Sequence, residues 1–87
     1  MSYQVIISAS ALTTLRKLKG EIKGRLNEAI LALGENPRPH GVEKIKGGSE
    51  LYRIRIGDFR VLYQIQDKVL VVVVIRVGHR REVYRGL

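Results

Sequence analysis

The sequence contains no cysteine and only two histidines. Without cysteine the chain cannot form a disulfide, present a thiolate nucleophile or ligate zinc through sulfur. His40 and His79 lie far apart and no cluster of carboxylates accompanies them, so we expect no metal site. No glycine-rich loop follows a strand and opens a helix, and we therefore expect no nucleotide cofactor.

Long apolar runs are also missing. The longest, from Val69 to Ile75, falls far short of the ~20 residues that a membrane-spanning helix needs. The first residues lack the basic-then-apolar layout of a signal peptide. We expect one soluble domain over residues 1–87, located in the cytoplasm.

Acidic residues are scarce, with 8 Asp and Glu against 16 Lys and Arg and a formal net charge of +8. Such an excess raises the local concentration of polyanions and speeds their capture. Nucleic acid is the first class of partner to consider and an acidic protein is the second. The alternative is a basic surface that is merely solvated.

The N-terminal half has the pattern of one strand followed by two helices. Residues 3–8 predict a short strand, and Ser8 or Ser10 can cap the helix that follows. Leu12, Leu15 and Leu18 recur at helical spacing before Gly20 breaks this helix.

The second predicted helix runs from about Glu21 to Leu33 and is ended by Gly34. Residues 36–49, which include two prolines, are predicted to form a loop. Five basic residues lie off the apolar stripes of the two helices, and we interpret them as a solvated outer face: Arg16, Lys17, Lys19, Lys23 and Arg25.

The C-terminal half has the pattern of three strands. Residues 51–56 and 59–66 alternate between apolar and polar positions around a two-residue turn at 57–58. A second tight turn at 67–68 precedes residues 69–77, which are apolar on both faces and predict a central strand. We expect an α+β fold: an N-terminal strand, a two-helix hairpin, then a three-stranded antiparallel meander with the helices on one face.

The first turn fixes the register of the hairpin. Ile56 then opposes Phe59, Arg55 opposes Arg60, and Arg53 lies one pair further along on the same face as these arginines. Because like charges opposed in a sheet are destabilising, three converging arginines favour a site for a multivalent anion. The alternative is that they are solvated residues that discourage edge-to-edge aggregation.

The same face carries apolar side chains that water should not cover, namely Leu62, Val71, Val73 and Ile75. We expect the chain's own tail or a partner segment to cover them.

Residues 51–56, 59–65 and 77–84 together resemble toxins of the RelE/ParE superfamily, and most closely the RelE ribonuclease branch. The resemblance implies a RelE-like fold and a ribosome-dependent mRNA interferase. Such an enzyme enters the ribosomal A site and cleaves mRNA by attack of a 2′-hydroxyl, without a metal ion. It also implies a cognate antitoxin that is small, acidic and RelB-like.

The resemblance also implies site residues. Arg53 and Arg55 fall where the family has two basic residues, usually lysines, and Arg60 matches the family's third-strand arginine. In the tail, Arg80 and Tyr84 match the family's arginine and tyrosine.

Proton transfer needs other groups, because an arginine effectively cannot act as a base. We expect Tyr84 to act as general base or to stack on a nucleobase, with His79 as an alternative and Glu82 as a residue that orients the arginines. Alternatively, His79 is a turn residue and Tyr84 packs on the sheet. Lys44, Lys46 and Arg81 are expected to contact phosphates.

Two other functions remain open. One is a ParE-like inhibitor of DNA gyrase without nuclease chemistry, and the other is an inactive relative that binds an antitoxin. The basic residues spread over the second strand, the third strand and the tail favour the ribonuclease.

Overall fold

The computed structural model describes residues 2–45, 50–79 and 81–84. Its elements are, in chain order, β1 (Gln4–Ile7), α1 (Ala9–Lys17), α2 (Glu21–Glu35), β2 (Glu43–Lys44), β3 (Leu51–Ile56), β4 (Phe59–Gln66), β5 (Val71–His79) and a one-turn 3₁₀ helix (Glu82–Tyr84), called here the tail helix. The predicted α+β class and order of elements are confirmed. None of the described helices is long and apolar enough to cross a membrane.

The strands form one sheet in the order β1-β5-β4-β3-β2, with β1 parallel to β5 and the other pairs antiparallel. β5 therefore lies between two neighbours, as its apolar sequence predicted. The fifth strand, β2, lies within the segment that was predicted to be a loop. Its two residues are too few to show any alternation, and only their pairing with Arg53 and Tyr52 makes them a strand.

The predicted register of the β3–β4 hairpin is confirmed from Ile56–Phe59 to Tyr52–Tyr63, with Gly57 at φ 60° in the turn. One face of the sheet packs against both helices and is called the core face. The helices contribute Ala11, Leu15, Leu26, Ile30 and Leu33 to the core, and the strands contribute Tyr52, Ile54, Val61, Tyr63, Ile65, Val72, Val74 and Val77. The opposite face is called the far face.

A β-bulge changes the alternation of β5. Leu62 pairs with Arg76 and Tyr63 pairs with Val74, so that Ile75 is the extra residue. Beyond the bulge Val77 belongs to the core and is 3% exposed, whereas Arg76 lies on the far face. Simple alternation therefore fails beyond Ile75, where it would have put Arg76 in the core and Val77 on the far face.

Gly34 does not end α2 as predicted, because the helix continues through it to Glu35. The Tyr3 amide donates to the Gly34 carbonyl at 2.6 Å, and a Cβ on Gly34 would lie 3.1 Å from the Tyr3 carbonyl oxygen. This glycine is needed because the chain entering β1 passes directly over the helix.

The β4–β5 turn is also longer than predicted, spanning residues 67–70 instead of two. Leu70 adopts φ 56° and its amide donates to the Asp67 carbonyl at 3.3 Å. β5 consequently begins at Val71, and Val69 is 64% exposed.

Asp67 fastens this turn to two distant parts of the chain. Its Oδ1 accepts from the Tyr3 hydroxyl at 2.7 Å and from Arg38 Nη1 at 3.1 Å, while its Oδ2 accepts from Arg38 Nη2 at 2.9 Å. The Arg38 guanidinium also lies 5.3 Å from the centre of the Tyr52 ring. The hydrogen bonds from Arg38, followed by the one from Tyr3, lower the pKa of Asp67 to about 2.

This network predicts an acid-sensitive contribution to stability. The folded pKa of Asp67 lies below its ordinary value of 3.8, so the carboxylate stabilises the fold above that value, and the contribution is lost as the pH falls towards about 2. We expect the Tm, measured by circular dichroism, to fall more steeply below about pH 4 in the wild type than in Asp67→Asn. Asp58→Asn, at the opposite turn, is the control and should follow the wild type. Parallel curves for wild type and Asp67→Asn would contradict the assignment.

Candidate anion-binding site

The far face brings four arginines together on three adjacent strands. Cross-strand pairing aligns its residues in two rows, one of Glu43, Arg53, Leu62 and Arg76, the other of Arg55, Arg60 and Gly78. The structure thus places the three predicted arginines on one face and adds Arg76 through the bulge.

Arg53 is the centre of the first row. Its Nη1 donates to the Tyr84 hydroxyl at 2.7 Å and its Nη2 donates to Glu43 Oε1 at 2.9 Å. These bonds, the one to Glu43 first, raise the pKa of Arg53. The Arg53 side chain is only 22% exposed, whereas that of Glu43 is 56% exposed and can reach a ligand. One guanidinium therefore joins β2, β3 and the tail.

Sequence reasoning misses Glu43, which falls in the predicted loop. The carboxylate is recognisable only from the cross-strand pairing of Glu43 with Arg53, which puts both side chains on the far face. A two-residue strand leaves no periodic signal that could have found it.

The tail helix packs against β4 and β5 and covers part of the far face. Val83 is 1% exposed and Leu62 is fully buried, yet both lie outside the main core. Gly78 leaves the necessary room, because a Cβ at this position would touch Val83 at 3.4 Å. Arg76 Nη1 donates to the Val83 carbonyl at 3.2 Å. The sequence predicted that either the chain's own tail or a partner segment would cover apolar residues of the far face. The structure shows the chain's own tail there.

Arg60 carries a buried donor for which the described part of the chain supplies no acceptor. Its Nε is buried and has no hydrogen-bond partner among the described residues, and its Nη1 reaches only the Phe59 carbonyl, at 3.4 Å. A buried donor without an acceptor costs ~1–3 kcal/mol. An anion bound between Arg60 and the opposing, exposed Arg55 would satisfy this donor with a charge-assisted hydrogen bond.

Other predicted site residues lie elsewhere. Lys44 Nζ is 6.0 Å from the centre of the Tyr52 ring, on the core-face side of the sheet. The His79 ring packs edge-on against Phe59, with 5.0 Å between ring centres, and does not join the arginines.

The remaining predicted residues belong to the tail or lie outside the described ranges. Glu82 is exposed and lines, with His79, a cleft of about 630 Å³ between α1 and the tail helix. Arg81 is exposed just before the tail helix. Arg80 and Lys46 lie outside the described residues.

Comparisons with known proteins cover almost the whole chain. Residues 5–84 match the family described as ParE toxin of type II toxin-antitoxin system, parDE. The chain is 33% identical over 88 residues to the mRNA interferase toxin RelE of Escherichia coli K12, covering 97% of this chain and 92% of that protein. It is 30% identical over 89 residues to the putative toxin RelE1 of Methanocaldococcus jannaschii, covering 99% of each.

Among solved structures, the archaeal RelE–RelB complex from Pyrococcus horikoshii OT3 superposes with a TM-score of 0.82 at 30% identity, covering 93% of this chain and 98% of that one. A double arginine-to-alanine mutant of the E. coli toxin RelE, solved in the free state, superposes with a TM-score of 0.79 at 32% identity. The match covers 97% of this chain and 92% of that one. The likeness therefore includes the sheet that carries the arginines.

Because Val83 of the tail is buried and Val69 is exposed, the same substitution at these two valines should differ in its effect on stability. Val83→Asp places a charge at a buried position, so we expect it to lower the free energy of unfolding by ~2 kcal/mol or more. Val69→Asp introduces the same charge at an exposed position and should change it by no more than ~0.5 kcal/mol. Urea unfolding measures both variants. Equal stabilities would show that the tail is not held against the sheet.

Proposed function

The chain belongs to the RelE/ParE family of toxins of type II toxin–antitoxin systems, and from this premise we propose that it is an mRNA interferase that cleaves messenger RNA at the ribosome. The observation that carries the proposal is the far face. Arginines there lie around a buried Arg60 donor that has no partner among the described residues, and the Tyr84 hydroxyl and the Glu43 carboxylate meet at Arg53.

The reaction is attack of a ribose 2′-oxygen on the adjacent phosphorus. The new O2′–P bond replaces the P–O5′ bond, which leaves a 2′,3′-cyclic phosphate and a free 5′-hydroxyl. A base must take the 2′-hydroxyl proton, cations must stabilise the charge on the phosphate, and an acid must protonate the leaving O5′. All three can be supplied by side chains, without a metal ion.

Arginines supply the cations. Arg55 and Arg60 face each other across β3 and β4 and can bind phosphate oxygens together, with Arg53 one pair away. Arg80, which matches the family's tail arginine, and Arg81 beside it add positive charge from the tail.

Glu43 and Tyr84 supply the proton transfer. The Glu43 carboxylate is exposed and can accept the proton of the 2′-hydroxyl, so we assign it as the base. The Tyr84 hydroxyl accepts a hydrogen bond from Arg53, which leaves its own proton free for the leaving oxygen. His79 packs against Phe59 and lines the cleft between α1 and the tail helix, so we give it no part in proton transfer at the far face.

The partners follow from charge and family. The P. horikoshii relative was solved with RelB. For this chain, with its net charge of +8, we propose a small acidic antitoxin of the same kind. The substrate is mRNA in the ribosomal A site, which places the activity in the cytoplasm.

A translating extract tests the function directly. Mapping of mRNA 5′ ends should reveal cuts inside translated codons, with 5′-hydroxyl and cyclic phosphate termini. Intact mRNA together with loss of gyrase supercoiling would replace the proposal by a ParE-like inhibitor. If both mRNA and supercoiling are unaffected, the chain is an inactive antitoxin-binding relative.

Loss of one hydroxyl separates catalysis from folding. Tyr84→Phe removes the proposed proton donor, so we expect the cleavage rate in the extract to fall ~10²-fold or more. Tyr3→Phe also removes a hydrogen-bonded hydroxyl, but at the opposite end of the sheet, and should stay within about twofold of the wild type at neutral pH. Similar rates for the two variants would remove Tyr84 from the chemistry.

Glu43→Gln distinguishes a base from a residue that only holds Arg53. The amide keeps an oxygen for the Arg53 hydrogen bond but cannot take a proton, so we expect a ~10²–10⁴-fold loss of cleavage. Glu35→Gln is the matched control, because Glu35 is an exposed glutamate whose carboxylate accepts from Ser2. Near-normal cleavage by Glu43→Gln would limit Glu43 to positioning Arg53.

A further inference from the structure

We propose that a pocket at the outer edge of β3 binds a purine base, namely the base of the nucleotide that carries the attacking 2′-hydroxyl. The pocket, called here the edge pocket, has a volume of about 460 Å³ and lies between residues 29–33 of α2, residues 39–43 and residues 54–56 of β3. The proposal rests on the proposed function and adds to it the part of the message that the toxin recognises beside the phosphate.

The walls of the edge pocket are largely apolar. α2 contributes Ala29, Ala32 and Leu33, and β3 contributes Ile54 and Ile56. Pockets of this size and lining take small planar ligands whose faces are apolar and whose edges are polar. The two fused rings of a purine would bury more surface against these walls than the single ring of a pyrimidine, so the apolar lining favours a purine.

The strand edge at this pocket offers a hydrogen-bond donor beside an acceptor. The backbone groups of β3 alternate in direction, because the Glu50 carbonyl accepts from the Ile65 amide at 3.3 Å, on the β4 side, whereas the Leu51 carbonyl accepts from the Ile45 amide at 2.8 Å, on the β2 side. Arg55 follows Leu51 at an even spacing in the same strand. The amide and carbonyl of Arg55 therefore also face the β2 side, where the edge pocket lies.

No strand uses this pair of groups. β2 begins at Glu43, opposite Arg53, and the same register would put Gly41 opposite Arg55. Gly41 instead adopts φ 88° in a turn, and among the described residues no backbone group bonds to the Arg55 amide or carbonyl on this side. The Watson–Crick edge of a nucleobase also places a donor beside an acceptor, so a base lying in the pocket can satisfy both groups.

The short length of the open edge favours a nucleobase over a peptide strand. The ladder is occupied by β2 at Arg53, and β3 ends at Ile56. An added strand would therefore gain only the two hydrogen bonds of Arg55, whereas partners that bind by strand addition draw their affinity from a run of main-chain bonds. Two adjacent hydrogen bonds are sufficient to hold the edge of one base.

His40 lies where it can stack on a bound base. Residues 39–42 form a turn, in which the Val42 amide donates to the Pro39 carbonyl at 3.1 Å. The turn holds the exposed His40 at the rim of the edge pocket, and within the described part of the chain no hydrogen bond or ring contact engages its imidazole. Stacking on an aromatic side chain is the usual way in which proteins hold an unpaired base.

The edge pocket adjoins the far face. Glu43 and Arg55 line the pocket and also belong to the two rows of far-face residues. A base in the pocket would therefore bring its own ribose to Glu43, the proposed base for the 2′-hydroxyl, and the following phosphate to Arg55 and Arg60. Recognition of this one base would align the nucleotide that attacks.

A fluorescent base gives a direct test. The probe is a dinucleotide whose first base is 2-aminopurine, which loses fluorescence when it stacks, and whose first ribose is 2′-O-methylated so that it cannot be cleaved. We expect saturable quenching by the wild type and ~10-fold weaker binding by Ala32→Phe, whose ring fills the pocket from an exposed position of α2. Leu31→Phe puts the same ring at the neighbouring exposed position outside the pocket and should bind within about twofold of the wild type.

Variants of His40 test the stacking separately from the volume of the pocket. His40→Ala should bind the probe ~10-fold more weakly, and His40→Phe should restore both the affinity and the quenching, because a phenyl ring stacks without titrating. Failure of His40→Phe to restore binding would contradict stacking by this residue. Circular dichroism of each variant checks that the fold is retained.

Equal affinity of the wild type and Ala32→Phe for the probe would overturn the inference. So would normal probe binding by Ala32→Phe together with a loss of antitoxin binding, which would assign the pocket to a protein segment. In the translating extract, the wild type should cut after purines in preference to pyrimidines, and Ala32→Phe should still cut but lose this preference. If even the wild type cuts no mRNA, the proposed function fails, while the binding comparison still decides whether the pocket takes a base.

Discussion

The register of the β3–β4 hairpin is the constraint on which the rest of the structure depends. The turn at Gly57–Asp58 pairs Ile56 with Phe59, and the two-residue period then sends apolar side chains to the helices and arginines to the far face. A slip of one residue would exchange the two sets, burying Arg55 and Arg60 and exposing the core. The hydrophobic core thereby fixes the arrangement of the cations that we propose to bind phosphate.

The tail helix, which packs against the far face, helps to hold these cations in place. Leu62 would be exposed on an open sheet, and burial of Val83 beside Gly78 covers this part of it. The residue after Val83 is Tyr84, whose hydroxyl then meets Arg53. Hydrophobic docking of Val83 thus positions Tyr84, the proposed proton donor, so that stability and the proposed function depend on the same short segment.

The sequence could predict the hairpin pair by pair, because Gly57-Asp58 and clean alternation specify a register without tertiary information. It could not predict Glu43, whose two-residue strand has no period, or the far-face position of Arg76, which depends on a bulge. Gly34 does not mark the end of α2, and the sequence cannot show this because close backbone approach and helix termination both select glycine.

The central claim is that the far face binds the scissile phosphate, and the arginine side chains can report this directly. Nuclear magnetic resonance of the Nε–Hε groups would be recorded during titration with a dinucleotide that carries a 2′-O-methyl group and cannot be cleaved. We predict that the Nε–H of Arg60, which has no partner in the described structure, shifts strongly together with that of Arg53, while that of Arg38 at the opposite end of the sheet does not move. Unchanged Arg60 and Arg53 signals at saturating ligand would contradict the account.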